Sequence, residues 1–407
     1  MFPPKLRFFE IYSVGFCTQF RRLLKIKSNM LLKKNMLLKK IRDKGLLWFF
    51  NRLRMEIRNP TKKFSKALID LFLGARKKIG KLFKKEINDE LLYLIYDLEI
   101  CDITYSFADM LIDAEFEAKK QRKKGFVVVI VPRSTSRRSD LSFEEYNSVV
   151  DDHSKLWRLQ NIIMPLILLS VFCRGTYILP RRDDVFKFVK NHEVYPYLYD
   201  GVNLRAPYDP ILRYEKLVRP NLVEGLRALP QGLRYVQDWL QVNRIHTPIV
   251  TITIRSSPFD TGRNSDIDAW SKFTSYLLVS GYHAVIIPDT DNAFGKESAF
   301  EGGSIFRECS WNMGLRAAIY ETAFLNFFVP NGCTDLAAFN PSCSYICMNM
   351  LPVGSSVTTE EAYKAVGHII GDDYKFATDK QRLCWKPDTF ENIKVEFDRF
   401  VSENPVC

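Results

Sequence analysis

The side chains in this sequence best suited to hold an anion are arginines placed just beyond β-branched apolar runs. Arg255 closes the run PIVTITIR, and Arg263 and Asn264 follow in the loop DTGRNSD. A guanidinium is a planar fork that donates two parallel hydrogen bonds and stays charged at any working pH, which matches a diphosphate. The turn Asn331-Gly332, after LNFFVP, would add backbone N–H groups at a helix start, where the dipole also favours negative charge. A plain strand-end salt bridge is the competing role for Arg255 and Arg263.

Other residues admit several roles. Asp289 and Asp291, in HAVIIPDTD, are paired carboxylates that could hold a divalent ion, while Asp289 alone could accept hydrogen bonds from a ribose. Arg316 and Tyr320 are four apart and share a helix face, with Glu321 next to it, so that helix is expected to line the same crevice. His153 beside Asp151 and Asp152, and His192 beside Glu193, are candidate general bases for an acceptor hydroxyl, and nothing in the sequence selects among them. Cys343 and Cys347 have no partner pair or nearby histidine, so they read as small buried residues and not as a zinc site.

These residues need elements that bring them together. From about residue 247 onward, strand-type runs alternate with helix-type periodicity: strand 248–255, helix 266–280, strand 283–291, helix 311–324, strand 325–330, a helix from Cys333, strand 344–350 and a terminal helix with Phe390, Ile393, Phe397 and Phe400 on one face. Crossovers this short imply a parallel, doubly wound sheet, in which ligands sit outside the carboxyl ends of the strands. A similar alternation starts near Leu91: a helix over 107–120, the continuous run FVVVIVP, a buried strand or helix over 162–173, then the strand TYILPRRDD and a helix through Val185 and Phe188. A Pro- and Tyr-rich connection fills 196–230, and a helix over 232–243 leads into the second half. The expected organisation is therefore an extension over 1–90, an α/β acceptor-side domain over 91–230 and an α/β donor domain over 231–407.

Charge separates the extension from the rest. The chain carries +12, yet residues 1–90 hold 24 Lys/Arg against 7 Asp/Glu, leaving 35 against 40 elsewhere. A mildly acidic body does not attract a polyanion over its whole face, and the basic segment lacks base-reading or stacking motifs, so nucleic acid is not an expected partner. The segment instead repeats NMLLKK and sets Leu, Trp and Phe at helical spacing among lysines, a pattern suited to anionic lipid headgroups. Nine irregularly spaced cysteines and a start without a secretory pattern suggest a reducing compartment.

Taken together, TITIRSSPFDTGRNSDIDAW, VIIPDTD, WNMGLRAAIYETAFLNFFVPNG and DLAAFN resemble the donor half of a GT-B glycosyltransferase, whose two Rossmann-like domains face a cleft. The strand ending in Arg255 is similar to the arginine motif of fucosyltransferase-like members, although Thr253 and Ser256 stand where those members have histidine and a second arginine. The resemblance, strongest over 248–350, implies transfer of a sugar from a nucleotide-diphosphate sugar to a glycan or lipid-linked acceptor, with no cofactor. It implies a donor site of Arg255, Arg263, Asn264, Asp289, Arg316, Tyr320, Asn331 and Gly332, and bacterial surface-polysaccharide synthesis at the cytoplasmic face of the inner membrane. The rival expectations are a metal-dependent transferase using Asp289 and Asp291, a membrane-associated scaffold without activity, and a nucleotide-sugar epimerase.

Overall fold

The computed structural model describes residues 89–133, 150–197, 199–201, 223–295 and 300–405. The chain divides into two units, Met1–Lys84 and Lys85–Cys407. The first, with the basic segment read as lipid-binding, lies outside the described residues, as does most of the Pro- and Tyr-rich connection.

Within the second unit lie two parallel sheets. The first comprises β1 (Leu91–Asp97), β2 (Gly125–Val131), β3 (Cys173–Ile178) and β4 (Val194–Tyr195) in the order β3-β2-β1-β4. The second comprises β5 (Ile249–Thr253), β6 (His283–Ile287), β7 (Ser304–Ile305), β8 (Leu325–Phe328), β9 (Tyr345–Cys347) and β10 (Gln381–Leu383), ordered β10-β9-β8-β5-β6-β7. Every pairing is parallel. In both sheets the chain builds outward from a central strand and then returns to its other side, which is the Rossmann-like winding, so the α/β expectation is met by two such sheets.

Each reversal leaves a gap between two neighbouring strands whose following loops diverge. In the second sheet the gap lies between β5 and β8, and in the first between β1 and β4. Ligands of parallel sheets bind at such points because no crossover helix covers them.

Burial follows the sequence patterns. β2 reads GFVVVIV and is buried throughout, as a central strand covered on both faces must be. One face of the first sheet is covered by α1 (Phe107–Lys120) and by α3 (Met164–Leu169) with the π-turn before it (Leu159–Ile163), which α2 (Asp152–Arg158) leads into; α4 (Asp184–Asn191) covers the other. Residues 162–169, expected as strand or helix, are therefore helical. The second half follows α5 (Pro230–Val242). Its helices are α6 (Ile267–Val279), α7 (Met313–Thr322), α8 (Thr334–Ala338), α9 (Glu360–Val366) and α10 (Phe390–Glu403). Trp270, Phe273, Phe327, Phe397 and Phe400 pack α6 and α10 onto the sheet, and α10 buries Ile393 from the apolar face expected for it.

Among the described residues no helix is long and apolar enough to cross a membrane.

Candidate functional site

The loop after β5 is held by the arginine that opens it. Arg255 is 5% exposed, and its amide and carbonyl exchange hydrogen bonds with Ser265 (2.9 Å to Oγ and 3.0 Å from N), closing the neck of the loop. Its guanidinium donates to the carbonyls of Asp260 (3.0 Å) and Phe259 (2.5 Å) and to Asn264 Oδ1. Burial and the charge of Arg263 push its pKa below the ordinary arginine value, with Asp289 and Asp260 opposing. Asn264, expected to touch ligand, serves the loop on both sides: Oδ1 also accepts from Ser257 N (3.1 Å), and Nδ2 donates to Ser257 O (3.0 Å).

Arg263 pairs with Asp260, Nε to Oδ2 at 2.7 Å, so the strand-end ion pair weighed for it is present, though inside the loop. Asp260 adopts a left-handed φ of 53° and accepts from Ser355 Oγ (2.7 Å) and Ser356 N (2.9 Å). Burial works against its carboxylate, but these donors and the two arginines hold its pKa below the usual carboxylate range. Gly262 is required here, since a Cβ would lie 2.8 Å from the backbone of Gly354 and Ser355.

Asp289 follows β6 and accepts from Ser256 N at 2.9 Å, joining the ends of β5 and β6. Asn292, in the 3-10 turn Thr290–Asn292, adds bonds to Ser256 O and Oγ, both 2.9 Å. Asp291 lies in the same turn, and its side chain falls outside the described residues. Among the described residues no group of three or more His, Cys, Asp or Glu is arranged to hold a metal ion.

Beyond β8 comes the turn Asn331-Gly332-Cys333. Asn331 Oδ1 accepts from Thr334 N at 3.1 Å, while the N–H groups of Gly332 and Cys333 meet no acceptor among the described residues. Beneath it sits Arg316 of α7, only 1% exposed: Nε donates to Cys309 O (2.5 Å), Nη1 reaches Cys333 Sγ (2.6 Å), and Nη2 is buried without a hydrogen-bond partner among the described residues. Tyr320, one helical turn on, is fully buried and bonds Thr253 Oγ1 at 2.8 Å. Position 253 thus points into the core against α7. Glu321 also has a structural part, accepting from Ala228 N (2.9 Å) and Asn340 Nδ2 (2.8 Å).

The first half reaches this turn through the loop after β1. A Cβ on Gly332 would lie 2.6 Å from Tyr105 Cδ2, so the tyrosine ring packs directly on the glycine. Three residues earlier stands Asp102, exposed, whose carboxyl is raised above the usual range by partial desolvation, with Arg133 opposing. Asp102 lies in a short irregular loop without a motif, so residue type and spacing do not single it out; its one signal in the sequence is its place just past a buried strand.

The bases expected from sequence are not assembled here. Glu193 precedes β4, pairs with Lys123 at 2.9 Å and donates its own amide to Asp89 Oδ2 at 3.0 Å; His192 lies 3.5 Å from the same Asp89. Both mark the amino end of the first sheet, opposite the ligand-binding edge. Asp151 caps α2, accepting from Ser154 N at 2.6 Å. Asp152 and His153 are exposed in the first turn of α2, Asp152 paired with Lys155 at 3.0 Å.

No protein-family model matches the chain, and no curated protein does. Among solved structures, similarity extends to a family 9 glycosyl transferase from Veillonella parvula, at 11% identity over 78% of this chain and 99% of that one, with a TM-score of 0.41. The E. coli ADP-heptose lipopolysaccharide heptosyltransferase II gives 9% identity, 78% and 100% coverage and a TM-score of 0.44. A wall teichoic acid polymerase gives 7%, 83% and 90%, with a TM-score of 0.28.

Proposed function

We propose that this chain transfers a sugar from a nucleoside-diphosphate sugar to a glycan or lipid-linked acceptor, without a metal ion. One observation carries the reading: two buried arginines, Arg255 and Arg316, flank the β5–β8 gap and are hydrogen-bonded only to carbonyl, amide and thiol groups. A buried charge without an opposite charge in contact is strongly unfavourable, so such a pair is sustainable where a polyanion binds. The free N–H groups of Gly332 and Cys333 point to the same ligand class.

In this reading the diphosphate leaves as the glycosidic bond forms, and the arginines and the turn stabilise the charge that develops on its oxygens. Asp289 accepts from the donor's ribose. Asp102 takes the proton of the acceptor hydroxyl, and a carboxylate made more basic by desolvation is better suited to that work. Residues 1–90 supply contact with an anionic membrane on the cytoplasmic side.

The test is a thermal-shift screen against nucleoside-diphosphate sugars, followed by turnover assays with and without chelator. At least one donor should raise the melting temperature, since a ligand specific for the folded state must stabilise it. Asp102→Asn should retain that shift and lose about 10²–10⁴-fold in kcat. A chain that no donor stabilises would sink the assignment, and activity abolished by chelator would sink its metal independence.

A further inference from the structure

The segment after β6 presents an aromatic ring to solvent although it is anchored on two sides. Asn292 Nδ2 donates to Ser256 O and Oγ at the end of β5 (both 2.9 Å), and Thr290 Oγ1 donates to Ser310 O before α7 (2.7 Å). Ser310 Oγ returns a bond to Pro288 O (2.9 Å), and the Gly295 amide closes a turn on Asn292 O (2.9 Å). Within that turn Ala293 is 3% exposed, whereas Phe294 is 80% exposed.

Phe294 is nonetheless held. One face of its ring stacks on Trp311, with centroids 5.5 Å apart and planes 24° from parallel. The other face stays in water, where it adds nothing to the apolar burial that stabilises the fold. A ring fixed before its partner arrives loses little side-chain freedom on binding, which favours a role in recognition.

Its place along the sheet selects the partner. Outward from the β5–β8 gap the order is β5, β6, β7. The arginines and the Asn331-Gly332-Cys333 turn flank the gap, and Asp289 stands one strand out, at the end of β6, where nucleotide-binding sheets carry the acid that meets a ribose. Phe294 follows β6 and Trp311 follows β7, further out again. Diphosphate, ribose and base are joined in the same order. Thr290, Asn292 and Ser310, beside the ring, direct their side-chain donors to the backbone, so they offer a base no donor pattern to read. A bilayer or a protein partner needs far more area than one ring face.

We infer that Phe294, backed by Trp311, is the stacking platform for the base of the donor nucleotide, and that it accepts any base. The inference rests on the proposed transfer from a nucleoside-diphosphate sugar. Base–aromatic stacking tolerates base identity because every base has a π-face.

The experiment is calorimetric titration of the full chain with ADP, GDP, UDP and inorganic pyrophosphate, comparing wild type with Phe294→Ala and Phe294→Trp. The alanine variant should lose about 10- to 100-fold in affinity for each nucleotide and bind pyrophosphate as wild type does. The tryptophan variant should keep the wild-type nucleotide affinities. Phe294 is mostly exposed, so the thermal midpoint of both variants should equal that of wild type. Nucleotide affinities unchanged in Phe294→Ala would overturn the platform. So would an equal loss for pyrophosphate, since the ring would then act through the loop that Asn292 ties to β5. A wild-type preference for one base above about 100-fold, beyond the spread of stacking strengths, would overturn the tolerance. A wild type that binds none of the nucleotides would instead remove the transferase reading, and this site with it.

Discussion

Arginine has opposite meanings at the two strand-order reversals. In the first sheet Arg182 meets Asp97 through two bonds of 2.7 Å, and Asp97 also accepts from Tyr199 Oη (2.6 Å) and Glu99 N (2.9 Å). That charge is fully matched and closes the gap between β1 and β4 with protein. In the second sheet Arg316 has no carboxylate in hydrogen-bond contact and one orphaned nitrogen. The variants should diverge accordingly. Arg182→Ala strands a buried Asp97 and should cost about 3–5 kcal/mol in urea unfolding, with or without ligand. Arg316→Met should leave ligand-free stability within about 1 kcal/mol, because it removes an uncompensated charge along with its bonds. It should also abolish the stabilisation by a nucleoside diphosphate that the proposed function calls for. A ligand-free loss as large as that of Arg182→Ala would make Arg316 merely structural.

Elements with enough length to show a period were legible in the sequence. The helix over 107–120 and the strands at 125–131 and 249–253 occur within a few residues of their expected positions, as do the helices carrying Trp270 and Phe397. Short strands were not: β4, β7 and β10 have two or three residues, too few for alternation to register, and β1 was seen only as the start of a pattern. Arg255 and Arg263 were legible as residues near a strand end, but their partners were not, because the loop after β5 is fastened by Ser355 and Ser356, far away in sequence. Asp388 is a further case. It gathers Asp266 N at the cap of α6 (3.0 Å), Trp270 Nε1 (2.9 Å) and Asn349 Nδ2 (3.2 Å), joining the segment before α10 to α6 and to the end of β9. Asp388→Ala would leave a buried indole N–H and a cap amide unmatched, at about 1–3 kcal/mol for each group stranded. Its thermal midpoint should therefore fall well below that of wild type, whereas Asp398→Ala, which loses the partly exposed partner of Tyr276 and Lys394, should stay near it.

At the scale of the whole second unit, the two halves meet where α3 packs on α7 and where α1, which follows β1, packs on α8, which follows β8. At the second of these contacts each helix brings an acid. Burial, and then the charge of Asp113, raise Asp109 to about 7; burial, and then Asp109, raise Asp335 well above the usual carboxylate range. Asp113 itself receives Tyr195 Oη. A carboxyl whose folded pKa exceeds its unfolded value near 4 binds its proton more tightly in the folded chain. Stability from the pair is therefore fully present below about pH 4 and is lost as pH rises toward 7. His283 acts in the other sense, since burial lowers its pKa and favours the folded state as pH rises through about 6.5. With both contributions acting, unfolding midpoints recorded from pH 4.5 to 8 should decline in wild type, and Asp335→Asn should flatten the decline by removing one of the two competing acids. The same ionisation places negative charge two residues beyond Cys333, so nucleotide affinity should weaken over that range in wild type and less so in the variant. An equal slope in both proteins would mean that the contact between the halves does not carry the proton, and that the pH response of the crevice has its source elsewhere.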